Sequence, residues 1–426
     1  MFGDFFIFEK QNIQIMENYN SSNGLKKWIL WFILVYIFLS IFPLPLSYLV
    51  PPLADVLTFP LDQLNLLIGK NILNIEDFKK IASTGSGDTT FDYVKILTHI
   101  LLAIVSASVL IKLKKINVHS EQAKQWVVTY MKYVLAISMI IYGLAKVYEM
   151  QFPQPGLNRL GQSFGDSSPM GLLWTFMGHS RGYSIFTGMA EITGGVLLLF
   201  RRTQILGALI SLGVMINVVA LNFFFDVPVK IFSSHLFFYC LILLSPSVYA
   251  LIQIFVKGNS SALQFIHIPL QSKSLRLLSR SAKVFVIVLS IALAIFEMTM
   301  LNHSQSEKSP HDGIHFVENF QTSTNHTNVT KWNKLVMENK FLIIYTETDT
   351  LKGTVKINKE NQLYFTSIVD STLKGTLDFK SDKNNYIWNV VIKSDSLSFQ
   401  SKIKRKEDFT LQKRGFHWIN EYPYNR

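Results

Sequence analysis

The sequence predicts an α-helical membrane protein of about seven transmembrane helices, with an all-β antiparallel domain at its C-terminal end. Three observations lead there. Of 426 residues, 49% are hydrophobic and only 16% charged, a low charged share for a chain in water and an ordinary one for a chain partly in lipid. Seven apolar runs approach or exceed the ~20 residues that a helix needs to cross a bilayer. After the last run the hydrophobic pattern changes to a period of two, which marks strands.

In order, the runs are 28–50, 91–113, 126–148, 184–200, 204–225, 229–255 and 282–301. The first contains Pro43 and Pro45, so its helix is expected to end early. Residues 1–27 form an N-terminal tail without a small-residue cleavage site behind a short apolar core, so the first run is expected to remain as an anchor. Residues 28–125 hold two spans and a long outer loop, and residues 126–256 a four-helix bundle. Residues 257–301 hold a basic loop and the seventh span, 302–339 a polar linker, and 340–426 the β domain.

Basic residues set the orientation. Lys112, Lys114, Lys115 and Lys124, then Arg201 and Arg202, then Lys257, Lys273, Arg276, Arg280 and Lys283 fall on one side of a seven-helix arrangement, together with Lys10, Lys26 and Lys27 of the tail. That side is predicted to be cytoplasmic and the C-terminal domain extracytoplasmic, in the plasma (inner) membrane. The same asymmetry accounts for the net charge of +12 without a nucleic-acid partner. Loops 51–90 and 149–183 then lie outside, long and without evident secondary structure. Trp174, Phe176 and Tyr183 suggest either a functional cover or an aromatic belt for the second of them.

Strand-like runs follow at 341–345, 351–357, 363–366, 373–379, 386–392 and 397–403. Thr350-Leu351-Lys352-Gly353-Thr354 recurs as Thr372-Leu373-Lys374-Gly375-Thr376, which suggests successive similar hairpins in a meander that closes into a small sandwich or barrel. The tail carries Phe416, Trp418 and Tyr422 and is expected to pack, because a loose terminus frays.

Candidate functional residues are the polar groups inside greasy spans, which are costly in hydrocarbon and face each other or a wet cavity. Lys146, Glu191 and His235 are the candidates for charge and proton handling; Tyr142, Trp174, Asn217, Asn222, Asp226 and Lys230 are candidate ligand contacts. At 1.5 Å per residue, Lys146 and Asn222 lie ~5 Å, His235 ~9 Å, Glu191 ~10 Å and Asn217 ~12 Å beneath one membrane surface. Gly188, Glu191, Gly194 and Gly195 share a face on which small residues let a neighbouring helix approach. Each also has a plain structural reading: snorkelling for Lys146, interhelical hydrogen bonds for the asparagines, a core hydrogen bond for His235 and a surface pair for Asp226 and Lys230.

The chain has no HExxH, GxSxG or P-loop pattern. Its single cysteine, Cys240, rules out an intrachain disulfide and a CxxC redox pair. No metal site is expected; His311 and His315, four apart in the expected linker, are read as incidental.

The assembled residues resemble the DoxX-like family of small integral membrane proteins. Gly143-x-x-Lys146 is similar to the glycine-x-x-lysine of the family's first helix, and Glu191-x-x-Gly194-Gly195 to the acid and paired glycines of its second. The resemblance covers residues 126–256 and implies a four-helix unit in the third to sixth spans. It implies respiratory-chain or sulfur-redox envelope partners, including subunits resembling thiosulfate:quinone oxidoreductase, and a quinone as the bound molecule. The chain departs from the family in its Arg201-Arg202 turn, its long tryptophan-containing loop and its added β domain. The lack of a redox cysteine argues against thiol chemistry by the chain itself. The expected function is binding of a quinone or another small amphipathic molecule in an outer-leaflet polar pocket. The sequence leaves open whether the chain catalyses anything. It also leaves open a small-solute transporter, and a non-catalytic scaffold that recruits an envelope partner through the β domain.

Overall fold

A computed structural model describes residues 24–80, 85–113, 120–265, 309–322, 330–357, 362–368, 374–382, 384–392 and 395–424, with scattered positions between 273 and 296. The chain divides into two compact units, Met1–Val147 with Ile185–Ala292, and Tyr148–Ser184 with Leu293–Arg426. The helices in chain order are α1 (Gly24–Ile41), α2 (Leu46–Leu49), α3 (Pro51–Leu67), α4 (Thr90–Leu110), α5 (Ser120–Val147), α6 (Leu157–Leu160), α7 (Pro169–His179), α8 (Arg181–Leu199), α9 (Gln204–Phe224), α10 (Lys230–Leu244), α11 (Val248–Phe255) and α12 (Thr410–Lys413). Among the described residues six helices are long and apolar enough to cross a membrane: α1, α4, α5, α8, α9 and the continuous stretch Lys230–Phe255. The seventh expected span, at 282–301, falls mostly outside the described residues.

In the first unit, α1 stops at Ile41, ahead of Pro43 and Pro45, as the sequence predicts. The stretch 51–90, expected to lack secondary structure, instead holds α3 and a π-helical turn, Ile68–Ile72. This helix is inverted relative to one on a soluble protein. Its buried positions are Ala54, Thr58, Asp62 and Asn65. Leu53, Val56, Leu57, Phe59 and Leu67 are exposed, beside Asp55 and Gln63. Asn65 donates to the carbonyl of Phe91 and accepts from the Thr98 hydroxyl, which ties α3 to α4. The start of α4 is fixed by a capping box between Thr89 and Asp92.

Helices α5 and α8 touch backbone to backbone. A Cβ on Gly143 would lie 2.6 Å from the carbonyl oxygen of Gly188, and a Cβ on Gly188 the same distance from that of Gly143. The expected small-residue face of α8 is therefore real. The core of the unit gathers Met131, Leu135, Met139, Leu198 and the fully buried Cys240.

The second unit contains a closed antiparallel barrel of eight strands in sequence order. They are β1 (Gly313–Thr322), β2 (Trp332–Glu338), β3 (Phe341–Thr346), β4 (Thr350–Ile357), β5 (Leu363–Ser367), β6 (Lys374–Asp382), β7 (Asn385–Ile392) and β8 (Asp395–Lys404). Eight strands enclose a space that side chains can fill, and Trp388, Phe365 and Phe399 fill it. The repeated pentapeptide marks β4 and β6, both paired with β5. On β4, Gly353 leaves room for the Phe365 ring, which a Cβ would approach to 2.1 Å.

Three expectations are corrected here. Residues 302–339, expected as a linker, supply β1 and β2. Loop 149–183 carries α6 and α7, the latter started by the Ser168 hydroxyl, which accepts from Gly171 N–H. Leu157 of α6 packs with Ile314 and Val336 on the outer wall of the barrel, and its N–H donates to Glu338 Oε2 at 2.8 Å. The aromatic tail does not pack: Phe416, Trp418 and Tyr422 are 79%, 90% and 84% exposed. His315, far from lying in a linker, is wholly buried inside the barrel between Tyr386 and Trp388. It meets Ser401 Oγ and the carbonyl of His311, and burial holds its imidazole down to about 4.

Candidate functional site

Glycines at the α5–α8 crossing let one lysine and one glutamate meet. Lys146 Nζ lies 2.7 Å from each carboxylate oxygen of Glu191, with the two residues 7% and 3% exposed. Neither lines a described cavity. The pair is satisfied within itself and holds two helices together.

The open space in the helical unit lies elsewhere. A cavity of about 420 Å³ opens among the last turns of α1, the first turns of α4 and α10, and the C-terminal half of α5. A second, of about 410 Å³, adjoins it beneath α3, and the two share Ser40, Leu44, Ser86, Asp92, Lys95 and Phe232 as a common wall.

Each polar group on this wall has a local structural origin. On α1, Trp28, Phe32 and Tyr36 form a ladder of stacked rings that continues onto His235 of α10. His235 Nδ1 lies 2.8 Å from the Ile231 carbonyl, which can only accept; Nδ1 therefore carries the proton and Nε2 accepts from the Tyr36 hydroxyl, also at 2.8 Å. One turn on, the hydroxyls of Ser40 and Tyr239 meet at 2.7 Å. His99 of α4 lines the same cavity, and its buried Nε2 has no hydrogen-bond partner among the described residues.

The rim is built by loop 85–89. Gly87 N–H donates to the Pro228 carbonyl, and the Asp88 carboxylate accepts from the N–H groups of Lys230 and Ile231 at the start of α10. Asp88 thus does for α10 what a capping residue does from within a helix. Beneath α3, Asp62 accepts from Lys80 at 2.8 Å, and this hydrogen bond raises the lysine above its ordinary value.

The predicted residues therefore divide. Tyr142 and His235 line the cavity. Lys146 and Glu191 sit in the seam, with Lys146 one helical turn beyond Tyr142. Asn222 is buried, with an Nδ2 that has no partner among the described residues, while Asn217 is exposed and faces away from the core. Asp226 pairs with Lys230 at 2.7 Å. Trp174 belongs to the other unit, where its ring meets Phe152 edge-on. Sequence reasoning missed Tyr36, Ser40, Lys95, His99 and Tyr239, although a polar group inside an apolar run was signal enough. Among the described residues no cluster of three or more histidine, cysteine, aspartate or glutamate side chains is placed to hold a metal ion.

Fold and site define a class: a multi-pass helical membrane protein with a polar chamber at one end of its helical unit and, in a separate unit of the same chain, a small closed β-barrel. Over 113 residues, the chain is 41% identical to a Bacillus subtilis (strain 168) protein called "Uncharacterized protein YwoB"; the match covers 26% of this chain and 70% of that protein. In that stretch the chain belongs to the YwoB family. No family model matches the chain, and no solved structure matches it.

Proposed function

We propose that the chain is a DoxX-like protein of the plasma (inner) membrane that binds a small amphipathic molecule, of which a quinone is the first candidate, in the chamber beside α1, α4 and α10. The observation that carries this reading is the cavity of about 420 Å³, in which Tyr36, Ser40, His99, His235 and Tyr239 are set among Ile41, Leu44, Ile96 and Val134. A mostly apolar wall with a few convergent polar groups is how small amphipathic ligands are held. The glycine-lined Lys146–Glu191 contact supports the DoxX-like resemblance, and it positions the Tyr142 wall rather than touching the ligand. The basic loops favour a chamber that opens on the extracytoplasmic side, with the N-terminus in the cytoplasm.

Purified protein in nanodiscs, titrated with a short-tailed quinone, should bind it saturably, and Ser40→Phe, which fills the chamber, should abolish binding without lowering the melting temperature. Equal uptake by both proteins would show partition into lipid and remove the reading.

A second reading draws on the barrel unit. Its exposed Phe416, Trp418, Ile419 and Tyr422 suit a scaffold that recruits an envelope partner. Photo-crosslinking from position 418 in intact cells that captures one protein, with no effect of Ser40→Phe, would favour it.

A further inference from the structure

Charges around the chamber are unequally provided for. Asp62 accepts from Lys80, and Asp55 lies 3.8 Å from the same ammonium. Asp92 accepts from the N–H and the hydroxyl of Thr89, at 3.0 and 2.6 Å. Every carboxylate of the wall thus has a donor. The two donors on α4 differ. Lys95 borders both cavities, and no ion pair or hydrogen bond to its ammonium occurs among the described residues. His99 follows four residues later on the same face, 5% exposed, its Nε2 without a partner among the described residues. A buried nitrogen left unsatisfied, as in His99, costs folding free energy, and the half-buried Lys95 carries a charge with no counter-ion among the described residues. Side chains kept at that cost match something that arrives from outside and accepts hydrogen bonds.

We propose that Lys95 and His99 form the head-group subsite of the chamber and bind the oxyanion of a carboxylate- or phosphate-headed amphipathic molecule. This rests on the reading of the chamber as a site for a small amphipathic molecule, and it puts an anionic head in place of the neutral quinone. The His99 ring on the chamber wall donates one hydrogen bond, and Lys95 supplies a second together with the countercharge. Ser40 and Tyr239 stand beside them as hydroxyls that can donate or accept. The apolar part of the ligand lies against Ile41, Leu44, Ile96 and Val134. Asp92 also faces the chamber; its carboxylate, turned onto Thr89, sets a repulsion that the Lys95 charge has to outweigh.

The test is displacement of dansyl-undecanoic acid from full-length protein in phosphatidylcholine nanodiscs by dodecanoate, dodecyl phosphate and dodecanol. Dodecanoate or dodecyl phosphate should displace the probe at a concentration at least about tenfold below dodecanol, and the better of the two identifies the natural head. Lys95→Gln and His99→Leu should each weaken the anions about tenfold, the loss of one charge-assisted hydrogen bond, and leave dodecanol unchanged. Lys70→Gln removes the same charge from an exposed position outside the cavities and should change nothing. If dodecanol competes as well as the anions and Lys95→Gln is silent, the head-group assignment falls while the chamber survives as a neutral site. If Ser40→Phe binds the probe as wild type does, the chamber reading falls with it.

Discussion

The seam between α5 and α8 and the chamber beside α4 both bring ionisable groups into the helical unit, with opposite provision. In the seam one ammonium meets both oxygens of one carboxylate, and the pair is buried where the helix backbones touch at Gly143 and Gly188. In the chamber, lysine and histidine line an open volume, and neither the Lys95 ammonium nor His99 Nε2 has a partner among the described residues. A buried polar group completed by its neighbours contributes to architecture; one left incomplete is available to a ligand. The difference separates two roles that identical residue types in identical apolar runs cannot separate on their own.

The largest expected effect lies in the seam. Glu191→Ala strands Lys146 and should lower stability by about 3–5 kcal/mol in a detergent melt followed by circular dichroism, whereas Lys146→Met with Glu191→Leu should recover most of the loss. Failure of the double variant to recover would give the pair a role beyond packing.

The barrel offers the next contrast, a histidine whose surroundings are complete. His315 is held near 4 by burial, against 6.5 for a free imidazole. Between those values the unfolded chain takes up a proton that the folded barrel refuses. The barrel's stability is therefore whole above pH 6.5 and falls on acidification towards pH 4, by on the order of 3 kcal/mol. Hydrogen-exchange protection of β1 and β8 should follow this slope, and His315→Leu should flatten it.

Smaller effects follow. Gly188→Val pushes Cβ onto the Gly143 carbonyl and should cost about 1–3 kcal/mol by overpacking, read from the same melt. Asp88→Ala removes the cap from α10 and should cost about 1 kcal/mol. His99→Leu should be close to neutral or slightly stabilising, because it removes a nitrogen that has no partner among the described residues. A destabilisation there as large as that of Glu191→Ala would erase the contrast between seam and chamber.

Much of the fold was legible because lipid and strand pairing impose strong periods. Six described spans coincide with predicted runs, and β3 to β8 with predicted strands. What was missed has particular causes. Strand β2 buries Leu335, Val336 and Met337 in succession, because Leu157 of α6 covers the outward-facing Val336 and removes the alternation. In β1 a register shift between Glu318 and Gln321, around Asn319 with its positive φ of 52°, interrupts the pattern. Helix α3 was hidden by its inversion: its apolar residues are the exposed ones and Pro60 sits inside it. The Lys146–Glu191 contact was readable because glycine spacing and matched depth both point to it. The Lys95–His99 face was not, since one lysine and one histidine in a span look the same whether or not a neighbour completes them.

The burial of Cys240 at the centre of the helical core has a practical side. With no other thiol in the chain, a cysteine placed at an exposed position of α3 or on the barrel tail carries a spin label or fluorophore alone. Distances across the chamber, and the immersion of α3 in lipid, can then be measured on a protein whose native sequence is otherwise untouched.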